Sequence, residues 1–326
     1  MRWTKYLGAA SVICLSTSAF AQDATPDAAR IVSDPLYLPL QGQVFGETNY
    51  DWGSTSLDTF NAAGAQTSTS HVTSNDLGQQ FMYGLTDDLA LRFDWGYDTR
   101  ATSRHLVPTG GLVTRSSSGW TDPDFGITWR AIDQEAGGPF SFDLRADYSP
   151  DAFPSRTANA DESGTVGRGG QEADLGFTIG HETRDFTLAG TFDADWLDTR
   201  TALNQLTGDN TITAAQWNYR LGLASQWRFS PILSMNAGVG HTFTNSASVF
   251  DNSNDLLHIS HGGDFTDVNV ALNYHFIPNT VVGSIGYEHN FYDDTRNTFP
   301  TAPADNTSTR NRDEDVVGVT MRYVLN

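Results

Sequence analysis

Twelve stretches of the chain alternate apolar with polar residues, and the connections between them alternate too, long with short, along the whole sequence. The clearest stretch puts Leu89, Leu91, Phe93, Trp95 and Tyr97 on one face and Ala90, Arg92, Asp94 and Gly96 on the other. A period of two marks a β-strand with one apolar face. Similar runs lie at 44–52, 77–83, 125–131, 140–148, 173–179, 186–196, 217–227, 233–243, 268–276, 285–291 and 317–325. Six polar connections of about 15–20 residues fall on one side, and five turns of four to six residues on the other. A soluble sandwich has no reason to sort its loops this way. An outer-membrane barrel does, with an even strand number, long outer loops and short periplasmic turns.

The polar faces support the same choice. They carry charges in mid-strand, as in Asp124, Arg130, Asp143, Arg145 and Asp147 of the hairpin from Trp120 to Tyr148. In a barrel those charges line a wet or ion-paired lumen, while the apolar face meets lipid. Aromatic residues bracket the runs: Trp129, Phe140, Phe186, Trp227 and Phe276 beside short turns, Trp95, Tyr97, Trp120, Tyr148, Trp196 and Trp217 beside long connections. Amphipathic rings favour the two headgroup zones, so two girdles are expected. The expected fold is an all-β transmembrane antiparallel up-and-down barrel of twelve strands.

The start of the chain reads as an export signal. Arg2 and Lys5 precede an apolar run at 6–18, and Ala19-Phe20-Ala21 fits a cleavage site before Gln22. That run is too short to span a bilayer as a helix. Cys14 lies within it and is the only cysteine, so the mature chain has no disulfide and no thiolate metal site. Residues 22–40, with Pro26, Pro35 and Pro39, are expected as an extended periplasmic leader, and 41–326 as the barrel. Without Arg2 and Lys5 the net charge falls from -20 to -22, and every remaining basic side chain is arginine. Such acidity argues against nucleic acid as a partner. It is compatible with an outer membrane of lipid and lipopolysaccharide, reached through the barrel-assembly machinery. The polar Asn326 at the C-terminus departs from the aromatic last residue usual for that machinery.

The run from Gly119 to Arg130, Gly-Trp-Thr-Asp-Pro-Asp-Phe-Gly-Ile-Thr-Trp-Arg, resembles the glycine–aspartate strand of outer-membrane barrels assigned to the meta-pathway of phenol degradation. Asp133 to Tyr148 then supply the acidic, glycine-bearing turn and second amphipathic strand seen in that family. The likeness covers the layout of 75–326 but the motif of this hairpin alone. It implies a passive outer-membrane channel for small compounds, aromatic ones among them.

Strand parity turns thirteen acids inward, among them Glu47, Asp51, Asp76, Asp94, Asp124, Asp143, Asp147, Asp174, Asp193 and Asp195, against five bases, Arg92, Arg130, Arg145, Arg220 and Arg322. The excess favours cations or neutral polar solutes over anions. Asp51, Asp124, Asp147, Asp193 and Asp195, nearest the long connections, are candidates for a constriction. The alternative is a lumen filled by arginine–carboxylate ladders, with Arg92 and Asp94 grouped with Asp124, Arg130, Asp143 and Arg145; twelve strands fall between filled and open barrels. A catalytic site needs a nucleophile or water beside an oriented base. His181, His241 and His289 fall on the lipid face, and His275 faces the lumen. His258 and His261 share the one His/Asp-rich connection, where Asp251 to Asp255 begins like a calcium loop but has Leu256 at its sixth place and Gly262 at its twelfth. The sequence therefore predicts a channel with no enzyme chemistry, no metal and no cofactor, with a non-conducting barrel acting through its loops, or a hydrolase, as alternatives.

Overall fold

A computed structural model describes residues 31–107, 109–158, 163–205, 208–252 and 255–325. The expected export signal, residues 22–30 and Asn326 lie outside the described residues. Twelve strands form the wall: β1 (Val44–Asn61), β2 (Gln66–Thr86), β3 (Leu89–Leu106), β4 (Asp124–Ile132, with an upper segment Leu112–Trp120), β5 (Ser141–Ser149) and β6 (Glu172–Glu182). They continue with β7 (Phe186–Leu197), β8 (Gln216–Ser230), β9 (Leu233–Thr244), β10 (Phe265–Ile277), β11 (Val281–Tyr292) and β12 (Thr307–Leu325). Each pairs antiparallel with the next, and β12 returns to β1 in a register from Val44↔Leu325 to Asn61↔Thr307. The sheet closes on itself, so the membrane-spanning wall has no free edge, as lipid requires. All twelve expected strands are present where the alternation placed them.

The surface is inverted relative to a soluble protein. Leu175, Leu221, Ile285 and Phe276 are each more than half exposed on the outer face, while Gln226, Asn273, Thr187 and Asp267 are almost fully buried inside. Aromatic rings mark both rims. Trp95 stacks on Trp120 at 4.5 Å near the long connections, and Phe186 meets Trp227 at 5.4 Å near the turns. The apolar outer band and closed antiparallel wall place the protein in a Gram-negative outer membrane.

The wall continues well beyond the bilayer. β1, β2, β3 and β12 are 18, 21, 18 and 19 residues long, whereas about 9–11 residues cross the hydrocarbon. Six short strands, Arg156–Thr157, Arg200–Asn204, Asn210–Thr213, Ala247–Phe250, Leu256–His261 and Thr295–Thr298, join the extended hairpins in one hydrogen-bonded collar. A bridge from Ser117 to Gly164 and a bond from Thr165 N–H to Arg156 C=O complete the ring. The connections expected as loops are thus largely strand. In Thr67-Ser68-Thr69-Ser70 both faces are polar, with Ser68 and Ser70 buried, so the segment pairs as strand with no apolar alternation to announce it.

Where β4 is interrupted, Thr121, Asp122 and Pro123 oppose only Trp95 and Gly96 of β3. Proline tolerates such a bulge because no ladder donor is needed there. Asp122 is buried and uses both carboxylate oxygens on the next connection: Oδ1 accepts from the amides of Ala152 and Phe153, and Oδ2 from that of Arg168. One side chain thereby ties the 150–170 segment to the wall. Asp122→Ala would leave three amides without acceptors, about 1–3 kcal/mol each where water cannot replace them. Amide hydrogen exchange should speed up at 152, 153 and 168 while the β1–β2 ladder stays protected. Unchanged exchange at those amides would refute the tethering role.

Candidate functional site

Inward-facing residues meet across the ladder in the registers set by the wall. Arg145 on β5 lies 2.8 Å from Asp147, 3.2 Å from Asp174 of β6 and 2.6 Å from Asp193 of β7. Arg92 pairs with Asp94 at 2.5 Å and reaches Asp147 at 3.5 Å. Arg220 holds Asp267 at 2.7 Å, and Arg322 holds Glu47 at 2.5 Å. These arginine pairs are spread around the lumen, on β1, β3, β5 to β8, β10 and β12. The grouping differs from the ladder expected from chain order. Asp143 belongs to Arg130 at 2.8 Å, not to Arg145, and this pair lies at the periplasmic end, not in mid-lumen.

A second set of inward acids has few counter-charges. Asp51 on β1, Asp76 on β2 and Asp98 on β3 are direct cross-strand neighbours, and Asp124 of β4 faces Asp94. Asp195 of β7 faces Asp174. Like charges placed opposite one another are destabilising. Among the described residues no arginine is ion-paired with Asp51, Asp76, Asp124 or Asp195, and Asp76 Oδ1 is buried with no hydrogen-bond partner. Two cavities, each about 390 Å³, open against Asp51, Asp76, Asp98 and Asp124, with Arg168 in the lining of one and Arg322 in that of the other. Asp51, Asp76 and Glu288 line one; Glu47, Asp76, Asp94, Asp98 and Asp124 line the other.

Glycines make room for these acids. A methyl group at Gly126 would overlap Asp147 Oδ1, one at Gly176 would overlap Asp193, and one at Gly318 would overlap Asp51. Each carboxylate lies flat over a glycine of the neighbouring strand, so the wall stays thin and the lumen wide. This is the physical content of the recurring glycine–aspartate pattern. It supplies a signal that parity alone did not use.

At the periplasmic end residues 31–40, the described part of the leader, lie inside the barrel. Asp34 accepts a bond from Arg228 at 2.5 Å, and Arg228 also binds Glu182 at 2.6 Å. Gln226 Nε2 donates to Ser33 Oγ at 2.8 Å, Asn236 Nδ2 donates to the Ser33 carbonyl at 2.9 Å, and Arg130 donates to the Leu36 carbonyl. Val32 packs with inward Phe45, Val282 and Val324, flanked by Tyr37 and Met82. This apolar cluster inside the lumen has no counterpart among the expected strands. A remaining space of about 330 Å³ lies against it, bounded by Val32, Tyr37, Phe45 and the Glu47–Arg322 pair.

The histidines are dispersed. His275 is buried inside and bonds Ser234 at 3.0 Å; His241 and His289 face outward, bonded to Thr266 and Asp315. His261 bonds Ser246, His258 lies 5.0 Å from the Phe299 ring, and Ser253 and Asn254 of the expected acidic loop lie outside the described residues. Among the described residues no three metal-ligating side chains converge.

No protein-family model matches the sequence, and no curated protein does. Similarity appears at the level of fold. The COG4313 outer membrane channel from Pseudomonas putida F1 superposes with a TM-score of 0.59 at 15% identity, over 93% of this chain and 100% of that one. The transport unit of the autotransporter AIDA-I from Escherichia coli gives 0.52 at 10% identity, over 88% and 93%. A TodX deltaS2S3 mutant monoaromatic hydrocarbon channel gives 0.46 at 12%, over 91% and 94%. The first two likenesses establish an outer-membrane barrel fold, and the resemblance to the phenol-degradation barrels remains one of a hairpin motif.

If glycines seat the lumen acids, Gly126→Ala and Gly176→Ala should each cost about 1–3 kcal/mol by overpacking. Gly190, where a methyl would meet nothing nearer than 3.7 Å, serves as the control. Urea unfolding followed by the gel shift of the folded barrel should rank the two well below Gly190→Ala. Equal midpoints for all three would refute the seating.

Proposed function

We propose that the protein is an outer-membrane channel for passive diffusion of small solutes, selective for cations and neutral polar molecules over anions. The observation that carries this reading is the row of carboxylates Asp51, Asp76 and Asp98, with Asp124 opposite Asp94, which lines two cavities whose arginines, Arg168 and Arg322, are ion-paired to Glu172 and Glu47 instead. An acidic wall in a narrow lumen raises the local concentration of cations and excludes anions. The alternative of a lumen filled by ion pairs describes the surroundings of Arg92, Arg145, Arg220 and Arg322 but not Asp51, Asp76, Asp124 and Asp195. The resemblance of one superposed fold to a protein known as a channel supports the reading, but fold alone does not fix function, since an autotransporter transport unit shares it.

Residues 31–40 restrict the periplasmic end in this reading, and the solute path ends in the space beside Tyr37, Phe45 and Arg322. Arg228 is the strongest hold on the segment. Removing it strands Asp34 and Glu182 as buried acids, about 3–5 kcal/mol by analogy with other broken buried pairs.

Planar-bilayer recordings under a salt gradient test the selectivity. The wild type should show cation-selective steps, and Asp51→Asn with Asp124→Asn should move the reversal potential toward zero. An unmoved reversal potential would reject the acidic row as the filter. Deleting 31–40 should raise unitary conductance severalfold, and Arg228→Ala should raise the frequency of the larger steps. A deletion variant that folds and conducts like the wild type would show that the segment is not a restriction.

A further inference from the structure

Above the membrane the inner face of β3 reverses its charge. Parity is unbroken along β3, whose pairing with β2 runs without a shift from Ser68↔Leu106 to Gly84↔Ala90. Arg100 and Arg104 therefore share the inner face with Arg92, Asp94 and Asp98. Arg115, on the upper segment of β4, pairs with Thr102 and points the same way, diagonal to both. Cross-strand diagonal neighbours lie about 7–8 Å apart. The three guanidinium groups form one exposed cluster in a chain of net charge -20. Their partners are few. Arg104 Nε donates to Ser68 Oγ at 2.9 Å, Arg100 is 3.7 Å from Asp98 with its side chain 58% exposed, and no described carboxylate is ion-paired with Arg104 or Arg115.

Directly below, on the same inner surface, stand Asp98 and its cross-strand neighbour Asp76, with Asp76 Oδ1 lacking a partner. Positive and negative groups are thus stacked along the axis of solute approach. One two-residue step of a strand separates Asp98 from Arg100, about 6.6 Å along the chain. Arginine forks hold carboxylates by paired, charge-assisted bonds, and a carboxylate pair holds an ammonium.

We propose that this face is a docking site for small dipolar solutes, amino acids or short peptides, taken up by the channel. The carboxylate is held by Arg100, Arg104 and Arg115, and the ammonium by Asp76 and Asp98. This rests on the channel reading and names its solute class. A plain anion meets the arginines but is repelled by the acids beneath; a plain cation meets only the acids. A zwitterion satisfies both rows. The inner orientation separates the cluster from lipopolysaccharide beside the outer wall, whose phosphates are the other source of an anionic ligand.

Saturation-transfer NMR on the folded, detergent-solubilised protein tests the proposal with dialanine, propionate and ethylammonium as probes. Dialanine should bind at least tenfold more tightly than either monovalent ion at low salt. Arg100→Gln with Arg115→Gln should weaken dialanine at least tenfold and leave ethylammonium unchanged. Asp76→Asn with Asp98→Asn should weaken dialanine and ethylammonium but not propionate. Arg310→Gln, on the outer face against Phe60, should change none of the three. Propionate binding as tightly as dialanine, or dialanine binding untouched by the arginine variant, would overturn the proposal. So would arginine-dependent displacement of dialanine by purified lipopolysaccharide. Conductance recorded on the wild type without dialanine separates the two readings, since a silent barrel that still binds dialanine would refute the channel and keep the site.

Discussion

Closure of the backbone ladder between β1 and β12 is the constraint on which the rest depends. In hydrocarbon an unpaired N–H or C=O costs several kcal/mol, and a sheet with a free edge exposes a row of them. The long register from Val44↔Leu325 to Asn61↔Thr307 removes that edge. Once the wall is closed, strand parity has only two outcomes, lipid or lumen, and every side chain in the membrane band is sorted accordingly. The same register fixes which inward charges meet. Arg145 finds Asp174 and Asp193 because β6 and β7 are its neighbours in the sheet, not because they are near it in sequence.

A closed wall with polar residues inside must still avoid filling its own lumen. Glycines answer this by letting one strand's carboxylate lie against the next strand's backbone, as Asp147 does over Gly126 and Asp51 over Gly318. The inward acids then differ in their partners. Around Arg145 three aspartates share one guanidinium, whereas along Asp51, Asp76 and Asp98 no guanidinium is interposed except Arg100 at 3.7 Å from Asp98.

The wall was legible because Leu89 to Tyr97 and its counterparts place large apolar residues at every second position. The collar was not. Gln66 to Thr73 and Leu112 to Ser118 are strands polar on both faces over most of their length, so their sequence carries β-propensity without a period. Parity turned Asp51, Arg92, Asp94, Asp124, Arg130, Asp143, Arg145, Asp147, Asp193 and Asp195 inward, but partner choice needed the register. That is why Asp143 was grouped with Arg145 though it serves Arg130. Whether the expected periplasmic leader enters the lumen was not legible either, because Val32, Leu36 and Leu38 are apolar without a period and gave no strand to assign them to.

The collar changes what the extracellular side of such a barrel can do. Loops of the expected length would be free to move over the mouth, whereas a hydrogen-bonded ring holds its inner side chains at fixed spacings. Asp122 extends that order by binding three amides of the 150–170 segment, and the Ser117–Gly164 bridge joins the segment to β4. Arg100, Arg104 and Arg115 are therefore carried on paired strands and not on a loop, which is the condition for charges to select a solute by the separation of its own charges. In the proposed reading the arginines at the mouth and the acids of the lumen are successive parts of one surface, because β3 contributes Arg104, Arg100, Asp98, Asp94 and Arg92 along a single inner face.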